Sequence, residues 1–264
     1  MPLVDTTSLP VIERLPGWHG RYFHSPSMTF AHYDFTRGAS IHEHFHPQEE
    51  VWEVIEGELE LTIDGVAELG PAAHRVVTDR VVSGTYLASG LITHGSVRVV
   101  DACPEHMVML LRKLEAMGAD VDRHGVGVAV EARGRLRSVD IATLPYPGVA
   151  TDYKPILTTT LSVADGVSVV TENLFAGRFR YVDELVRLGA NITTEGHHAL
   201  IRGVDHLTGT SVHASDIRAA AALILAGLVA EGATTVTGLE HMDRGYDDFV
   251  GRLSGLGANI ERFS

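Results

Sequence analysis

Val182-Asp-Glu-Leu185-Val-Arg-Leu188-Gly189-Ala-Asn-Ile-Thr193 is the stretch on which the fold turns. Three apolar residues at i, i+3 and i+6 mark one face of a helix. The glycine is placed for a left-handed cap, and a short strand follows. The arrangement occurs twice more: Leu111, Leu114 and Met117 precede Gly118-Ala-Asp-Val-Asp122, and Val250, Leu253 and Leu256 precede Gly257-Ala-Asn-Ile-Glu261. A second landmark repeats with it. Asp79, Asp152 and Asp216 each open a helix expected to end at a glycine (Gly95, Gly166 and Gly232), and a strand follows each time, at 96–100, 167–170 and 233–236. Equivalent glycines lie 71 and 68 residues apart in the first set and 71 and 66 in the second. The spacing predicts three copies of a strand-helix-strand-helix-strand unit between residues 75 and 264, packed pseudo-symmetrically around a shared core.

The sequence before this region has another character. Leu59, Leu61 and Ile63 alternate with Glu58, Glu60, Thr62 and Asp64, the period of a half-buried strand. Arg37-Gly38, Glu56-Gly57 and Asp64-Gly65 are turn pairs, so residues 28–64 read as strands without a helix. Residues 1–70 hold 12 acidic and 3 basic residues, −9 of the chain's net −13, which leaves only −4 for the other 194. The expected organisation is two units, an all-β segment over 1–72 and an α/β lobe over 73–264.

At 264 residues with 45% hydrophobic and 21% charged residues, the chain has ample material for a core. The acidic balance argues against a general nucleic-acid binder, yet a few arginines can still converge on a small anion. The single cysteine, Cys103, cannot form an internal disulfide, and no apolar run is long enough to span a bilayer. With no signal peptide visible, the cytoplasm is the expected compartment.

Two sets of residues carry chemistry. Within Gly38–Gly57, His44 and His46 share one face of an extended strand, and Glu50 can complete a two-His-one-carboxylate set; an exposed His-rich strand would have the same spacing. The spacing G-x5-H-x-H-x3-E-x6-G resembles the first motif of the cupin family. That resemblance implies a partial jelly-roll segment and a divalent metal (Fe, Mn, Ni or Zn), with His74 in Gly70-Pro71-Ala-Ala-His74 as a fourth ligand and His42 as a spare.

In the second set, Asp79, Asp152 and Asp216 are all explained as helix N-caps. Arg178, Arg218 and Arg244 are harder to explain, since each lies at or just before a helix start, where a cation opposes the dipole. Together with backbone N–H groups they favour a phosphate or a carboxylate.

The segments His74–Leu87, Ala150-Thr-Asp152, Thr171–Phe179, Ala214–Ala219 and His241–Tyr246 resemble the carboxy-terminal portion of the UDP-N-acetylglucosamine 1-carboxyvinyltransferases, enolpyruvyl transferases of peptidoglycan synthesis. The resemblance covers some 190 residues in coherent order. It implies one lobe of a two-lobed enzyme, three repeats to a lobe, closing on phosphoenolpyruvate and UDP-N-acetylglucosamine. Asp152 would contact the sugar 3-hydroxyl as a candidate general base, and Leu174 would contact the same nucleotide sugar through its backbone. Arg244, with Arg218 and Arg178 nearby, would bind phosphoenolpyruvate, and the lobe itself would need no metal. The other lobe's Lys-Asn pair, uridine arginines and reactive Gly-Gly-Cys loop have no counterpart here, and Cys103, at Asp101-Ala-Cys-Pro-Glu-His106, does not match that loop. The reading is therefore a cupin-like segment joined to one transferase lobe, incomplete and inactive alone. A non-catalytic module binding a metal or small ligand, a nonfunctional fusion, and a homodimer stay open.

Overall fold

The computed structural model describes residues 5–24, 29–40, 57, 75–123, 127–175 and 177–263. The chain divides into two compact units, Met1–Pro71 and Ala72–Ser264. In the first, β1 (Ile12–Leu15), β2 (Trp18–His24) and β3 (Thr29–Phe35) form an antiparallel meander. The turn between β1 and β2 carries Pro16 and Gly17, the latter at φ 79°. Cross-strand aromatic pairs join the other two strands: Trp18 meets Tyr33 edge-on at 5.6 Å, and Phe23 stacks on Phe30 at 4.6 Å. β3 falls where strands are expected, whereas β1 and β2 have no counterpart in the sequence reading. The described part is a three-stranded meander, and the alternating run at 58–64 lies outside the described residues.

The second unit follows the repeat, except that among the described residues no strand precedes the first helix of the first copy. The first copy is α1 (Arg80–Ile92), β4 (Ser96–Val99), α2 (Val108–Ala116), β5 (Asp120–Asp122) and β6 (Val128–Glu131). The second is β7 (Ile141–Ala142), α3 (Lys154–Ser162), β8 (Val167–Thr171), α4 (Tyr181–Arg187), β9 (Asn191–Glu195) and β10 (His198–Arg202). The third is β11 (Leu207–Thr208), β12 (Ser211–His213), α5 (Ile217–Gly227), β13 (Ala230–Glu231), β14 (Thr235–Thr237) and α6 (Phe249–Gly255). The sheets match: β4-β6-β5 is antiparallel, β7-β8-β10-β9 adds a parallel strand to the same arrangement, and β12 pairs parallel with β14.

α1, α3 and α5 pack against one another as the shared core. α5 buries every residue from Ala219 to Ala226, and its four consecutive alanines let α3 come close enough for Thr159 to donate a 3.3 Å bond to the Ala222 carbonyl. The hydroxyls of Thr158, Thr160 and Ser162 are likewise satisfied, by Tyr181 and by the carbonyls of Ile156 and Thr159, so a polar run is buried without orphaned groups.

The glycine landmarks hold. Gly118, Gly189 and Gly257 have φ of 97°, 92° and 101°. After each, the next N–H reaches back five residues (Ala119 to Leu114, Ala190 to Leu185, Ala258 to Leu253) and the glycine N–H reaches back three. This is a Schellman cap in all three copies. The Arg137 N–H bonds the Met117 carbonyl and the Thr208 N–H bonds the Leu188 carbonyl, so the linker into the next copy satisfies a helix-end acceptor.

Three expectations need correction. The run after Gly257 is not a strand: the Ile260 N–H turns back to the Ala258 carbonyl, and among the described residues no strand follows to pair with it or to cover Leu256, which is 58% exposed. In the first two copies the equivalent run is zipped to β6 or β10. Next, α3 and α5 end before Gly166 and Gly232; the intervening residues form parallel bridges, Arg137 with Asp165 and Leu207 with Ala230. Finally, α1 is capped by His94 in the left-handed region at φ 57°, not by Gly95. The N–H groups of His94 and Gly95 bond the carbonyls of Leu91 and Gly90 in the Schellman pattern. A β-carbon there costs about 1–2 kcal/mol, and glycine returns part of that gain through the unfolded chain. His94 is exposed, so His94→Gly is expected to raise stability by up to ~1 kcal/mol, read as an increase in the urea midpoint at constant slope.

Candidate functional site

Symmetry among the three aspartates fails at one position, and the site lies there. Asp79 caps α1, its Oδ1 accepting from the N–H groups of Val81 at 2.6 Å and Val82 at 3.2 Å. Asp216 caps α5 in the same way, from Arg218 and Ala219 at 2.8 and 2.9 Å. Asp152 caps nothing. It sits in a 3-10 turn, Thr151–Tyr153, before α3, where Pro155 occupies the first helical turn. Its carboxylate faces two guanidiniums: Oδ1 lies 3.0 Å from Arg178 Nη2, and Oδ2 lies 3.4 Å from Arg218 Nε.

Each arginine is also held from behind. Arg178 Nη1 donates to Thr151 Oγ1 at 3.2 Å, and its guanidinium carbon lies 5.5 Å from the centre of the exposed Phe175 ring. Arg218 is the more enclosed of the two. Its Nη1 is 3.5 Å from the Tyr246 hydroxyl, which pairs with Thr85 at 2.9 Å. Because Thr85 donates to the Val81 carbonyl, Tyr246 donates to Thr85 and leaves a lone pair facing Arg218. Burial pushes the Tyr246 phenol up, so it stays neutral.

Behind Asp152 lies a buried ion pair, Lys154 Nζ to Glu172 Oε2 at 2.8 Å, with side chains 1% and 0% exposed. Glu172 closes every acceptor direction. Its Oε2 also takes Thr151 Oγ1 at 2.6 Å, and its Oε1 takes Thr143 Oγ1 at 2.7 Å and the N–H groups of Leu174 and Phe175 at 2.9 and 3.2 Å. Burial alone would raise the carboxyl, but the hydrogen bonds from Lys154, Thr151, Thr143 and Leu174 outweigh it and hold Glu172 at about 2. Burial in turn lowers the Lys154 ammonium, against the support of Glu172. Lys154 Nζ further donates to the Arg178 carbonyl at 2.6 Å and lies 3.9 Å over the Phe179 ring.

The structure thus joins Asp152, Arg178 and Arg218 directly. Leu174 lies on the turn after β8 that Glu172 holds; its N–H is used there, which leaves the carbonyl for a ligand. Arg244 ends the 3-10 turn Met242–Arg244, two residues before Tyr246, and is exposed with no hydrogen bond or ion pair among the described residues. Asp152 is corrected from a cap to an ion-pair partner. The Lys154–Glu172 pair is absent from the sequence reading. A lysine among Tyr153, Pro155, Ile156 and Leu157 is the signal that finds it, because a cation in an apolar first turn needs a buried carboxylate. Cys103 lies outside this cluster, its Sγ 3.0 Å from Glu105, which pushes the thiol up. The proposed metal ligands His44, His46, Glu50 and His74, and the spare His42, lie outside the described residues. Among the described residues no group of three or more His, Cys, Asp or Glu could hold a metal ion, and no helix is long and apolar enough to cross a membrane.

Fold and site define an α/β lobe of repeated units with an arginine–carboxylate cluster at the start of an inner helix. The profile of the EPSP synthase (3-phosphoshikimate 1-carboxyvinyltransferase) family matches residues 52–253, and the chain belongs to that family of enolpyruvyl transferases. It is 46% identical over 207 residues to a UDP-N-acetylglucosamine 1-carboxyvinyltransferase of Corynebacterium efficiens, covering 78% of this chain and 49% of that protein. It is 50% identical over 202 residues to UDP-N-acetylglucosamine 1-carboxyvinyltransferase 1 of Staphylococcus epidermidis, covering 76% and 48%. The enolpyruvyl transferase NikO from Streptomyces tendae superposes with a TM-score of 0.63 at 29% identity, over 70% of this chain and 44% of that one. The chain spans about half the length of the relatives it matches.

Proposed function

We propose that the second unit is one lobe of an enolpyruvyl transferase that carries enolpyruvyl from phosphoenolpyruvate to the 3-hydroxyl of UDP-N-acetylglucosamine, with release of phosphate. The observation that carries this reading is the loss of capping at Asp152. Of three equivalent aspartates, only this one turns its carboxylate to two arginines. Two roles follow from the geometry. Arg178 and Arg218, with Arg244 on the neighbouring turn, offer planar donors to the phosphate and carboxylate of phosphoenolpyruvate. Asp152 offers an oxygen to the sugar hydroxyl. In the present arrangement both of its oxygens are engaged by guanidiniums, so an incoming anion that draws the arginines away leaves Asp152 to accept from the hydroxyl. The identity to relatives named for this transfer supports the substrate pair.

Calorimetric titration of the full chain with inorganic phosphate and with UDP-N-acetylglucosamine tests the reading. Arg244→Ala is expected to weaken phosphate binding about tenfold, the scale of one charge-assisted hydrogen bond. Asp152→Asn should strengthen it about three- to tenfold, because it removes the internal carboxylate that competes for two arginines. A chain that binds neither ligand, or an Asp152→Asn variant that binds phosphate more weakly than wild type, would sink the assignment.

A further inference from the structure

We propose that Thr151 is a positioning residue, whose hydroxyl is polarised from behind by Glu172 and thereby aims the Arg178 guanidinium at the anion side of Asp152. This rests on the reading of Arg178 as an anion ligand. The argument is one of donors and acceptors. Glu172 is paired with Lys154 at 2.8 Å and, as a carboxylate, can only accept. The 2.6 Å contact to Oε2 therefore uses the single hydrogen of Thr151. What remains on that oxygen are lone pairs, and Arg178 Nη1 lies 3.2 Å away. A guanidinium can only donate, so the polarity is fixed along the whole chain from Lys154 to Arg178. The main chain of Arg178 is pinned by the same pair, since Lys154 Nζ donates to its carbonyl at 2.6 Å. Arg178 is thus held at the backbone and at one nitrogen of its head, and the other terminal nitrogen is left to face Asp152 at 3.0 Å. Thr151 is itself buried, at 8% exposure. A long side chain held this way has less rotamer freedom to lose when a ligand arrives.

Thr143 supplies the control. Its hydroxyl donates to the other oxygen of Glu172 at 2.7 Å, and no contact of Thr143 with Arg178 is present among the described residues. The test compares the full-length chain with Thr151→Val, Thr151→Ala, Thr151→Ser and Thr143→Val. Two readouts are used: the side-chain NMR signals of Arg178 without ligand, and affinity for inorganic phosphate by calorimetry. Wild type and Thr151→Ser are expected to show slow rotation of the Arg178 head and phosphate affinities within about twofold of each other. Thr151→Val and Thr151→Ala should average those signals and bind phosphate about tenfold more weakly, the scale of one hydrogen bond to a charge. Thr143→Val should lose stability but keep both properties.

Resolved Arg178 signals in Thr151→Val, or an equal loss of phosphate affinity in Thr143→Val, would overturn the proposal, because the effect would then come from a weakened Glu172 alone. If wild type itself fails to bind phosphate, the anion-site reading falls, and the ligand-free Arg178 signals still decide whether Thr151 holds the guanidinium.

Discussion

Incubated by itself with phosphoenolpyruvate and UDP-N-acetylglucosamine, this chain is expected to release phosphate about five orders of magnitude more slowly than a full-length relative. The proposed site offers one carboxylate and two arginines, Arg178 and Arg218, on one wall, with Arg244 on the turn before Tyr246. A transfer between two bound substrates depends on holding both reacting atoms in line and on excluding water, and well-oriented reactions owe ~7–11 kcal/mol of barrier reduction to that placement. One wall supplies affinity for an anion without supplying the alignment, so the loss falls on turnover more than on binding. A coupled assay for phosphate release measures it directly. Turnover within about tenfold of a full-length relative would mean that a second copy of the chain completes the site, and the rate would then depend on protein concentration.

The second large effect is on stability. Glu172→Gln is expected to cost about 3–5 kcal/mol, because it leaves the Lys154 ammonium enclosed without a counter-charge. The pH response should distinguish this from loss of packing. In the wild type the Glu172 carboxyl is held at about 2, against an ordinary 4.5. Its contribution is therefore complete above pH ~4.5 and is lost as the pH falls from there through about 2, with a total of about 3 kcal/mol. Glu172→Gln should lack that acid limb. It should instead gain stability as the pH rises toward the ordinary lysine value, since the enclosed Lys154, its pKa lowered by burial, has by then given up its proton while the unfolded state still holds one. The double variant Lys154→Met/Glu172→Gln is expected to recover at least ~2 kcal/mol of the loss. Urea melts across pH 3–10 test all three statements, and a single Glu172→Gln variant within ~1 kcal/mol of wild type would rule out the buried pair as a main support.

Much of the fold is legible because it repeats. A glycine at a Schellman cap has few substitutes, so Gly118, Gly189 and Gly257 stand out at near-constant spacing and carry the helices before them into view. Asp79 and Asp216 are legible as caps for the same local reason. Pairing is not legible: Ala-Asn-Ile occurs after both Gly189 and Gly257, yet only the copy with a described strand beside it becomes β9. The first hairpin is hidden for a related reason, since Trp18, Tyr22 and Phe23 announce apolar surface but not its partner. At the site, Arg178 and Arg218 stand out by their places at or before helix starts, whereas the repeat alone reads Asp152 as a third cap and only the family resemblance points to it as a site residue. Glu172 is not, because its importance lies in five convergent contacts from Thr143, Thr151, Lys154, Leu174 and Phe175, which no spacing along the chain reveals.

The broken symmetry among the three aspartates also sets how the molecule tolerates change. A corner present in triplicate allows a division of labour: two versions keep the architectural duty of finishing a helix, and the third is released from it. A mutation at Asp79 therefore presents itself as a folding defect, visible on heating, and one at Asp216 does so too while also loosening the backbone that carries Arg218. A mutation at Asp152 presents itself in solution chemistry while leaving the helix ends intact. Selection can act on one property without taxing the other, which a single unduplicated aspartate, obliged to serve both, would not permit.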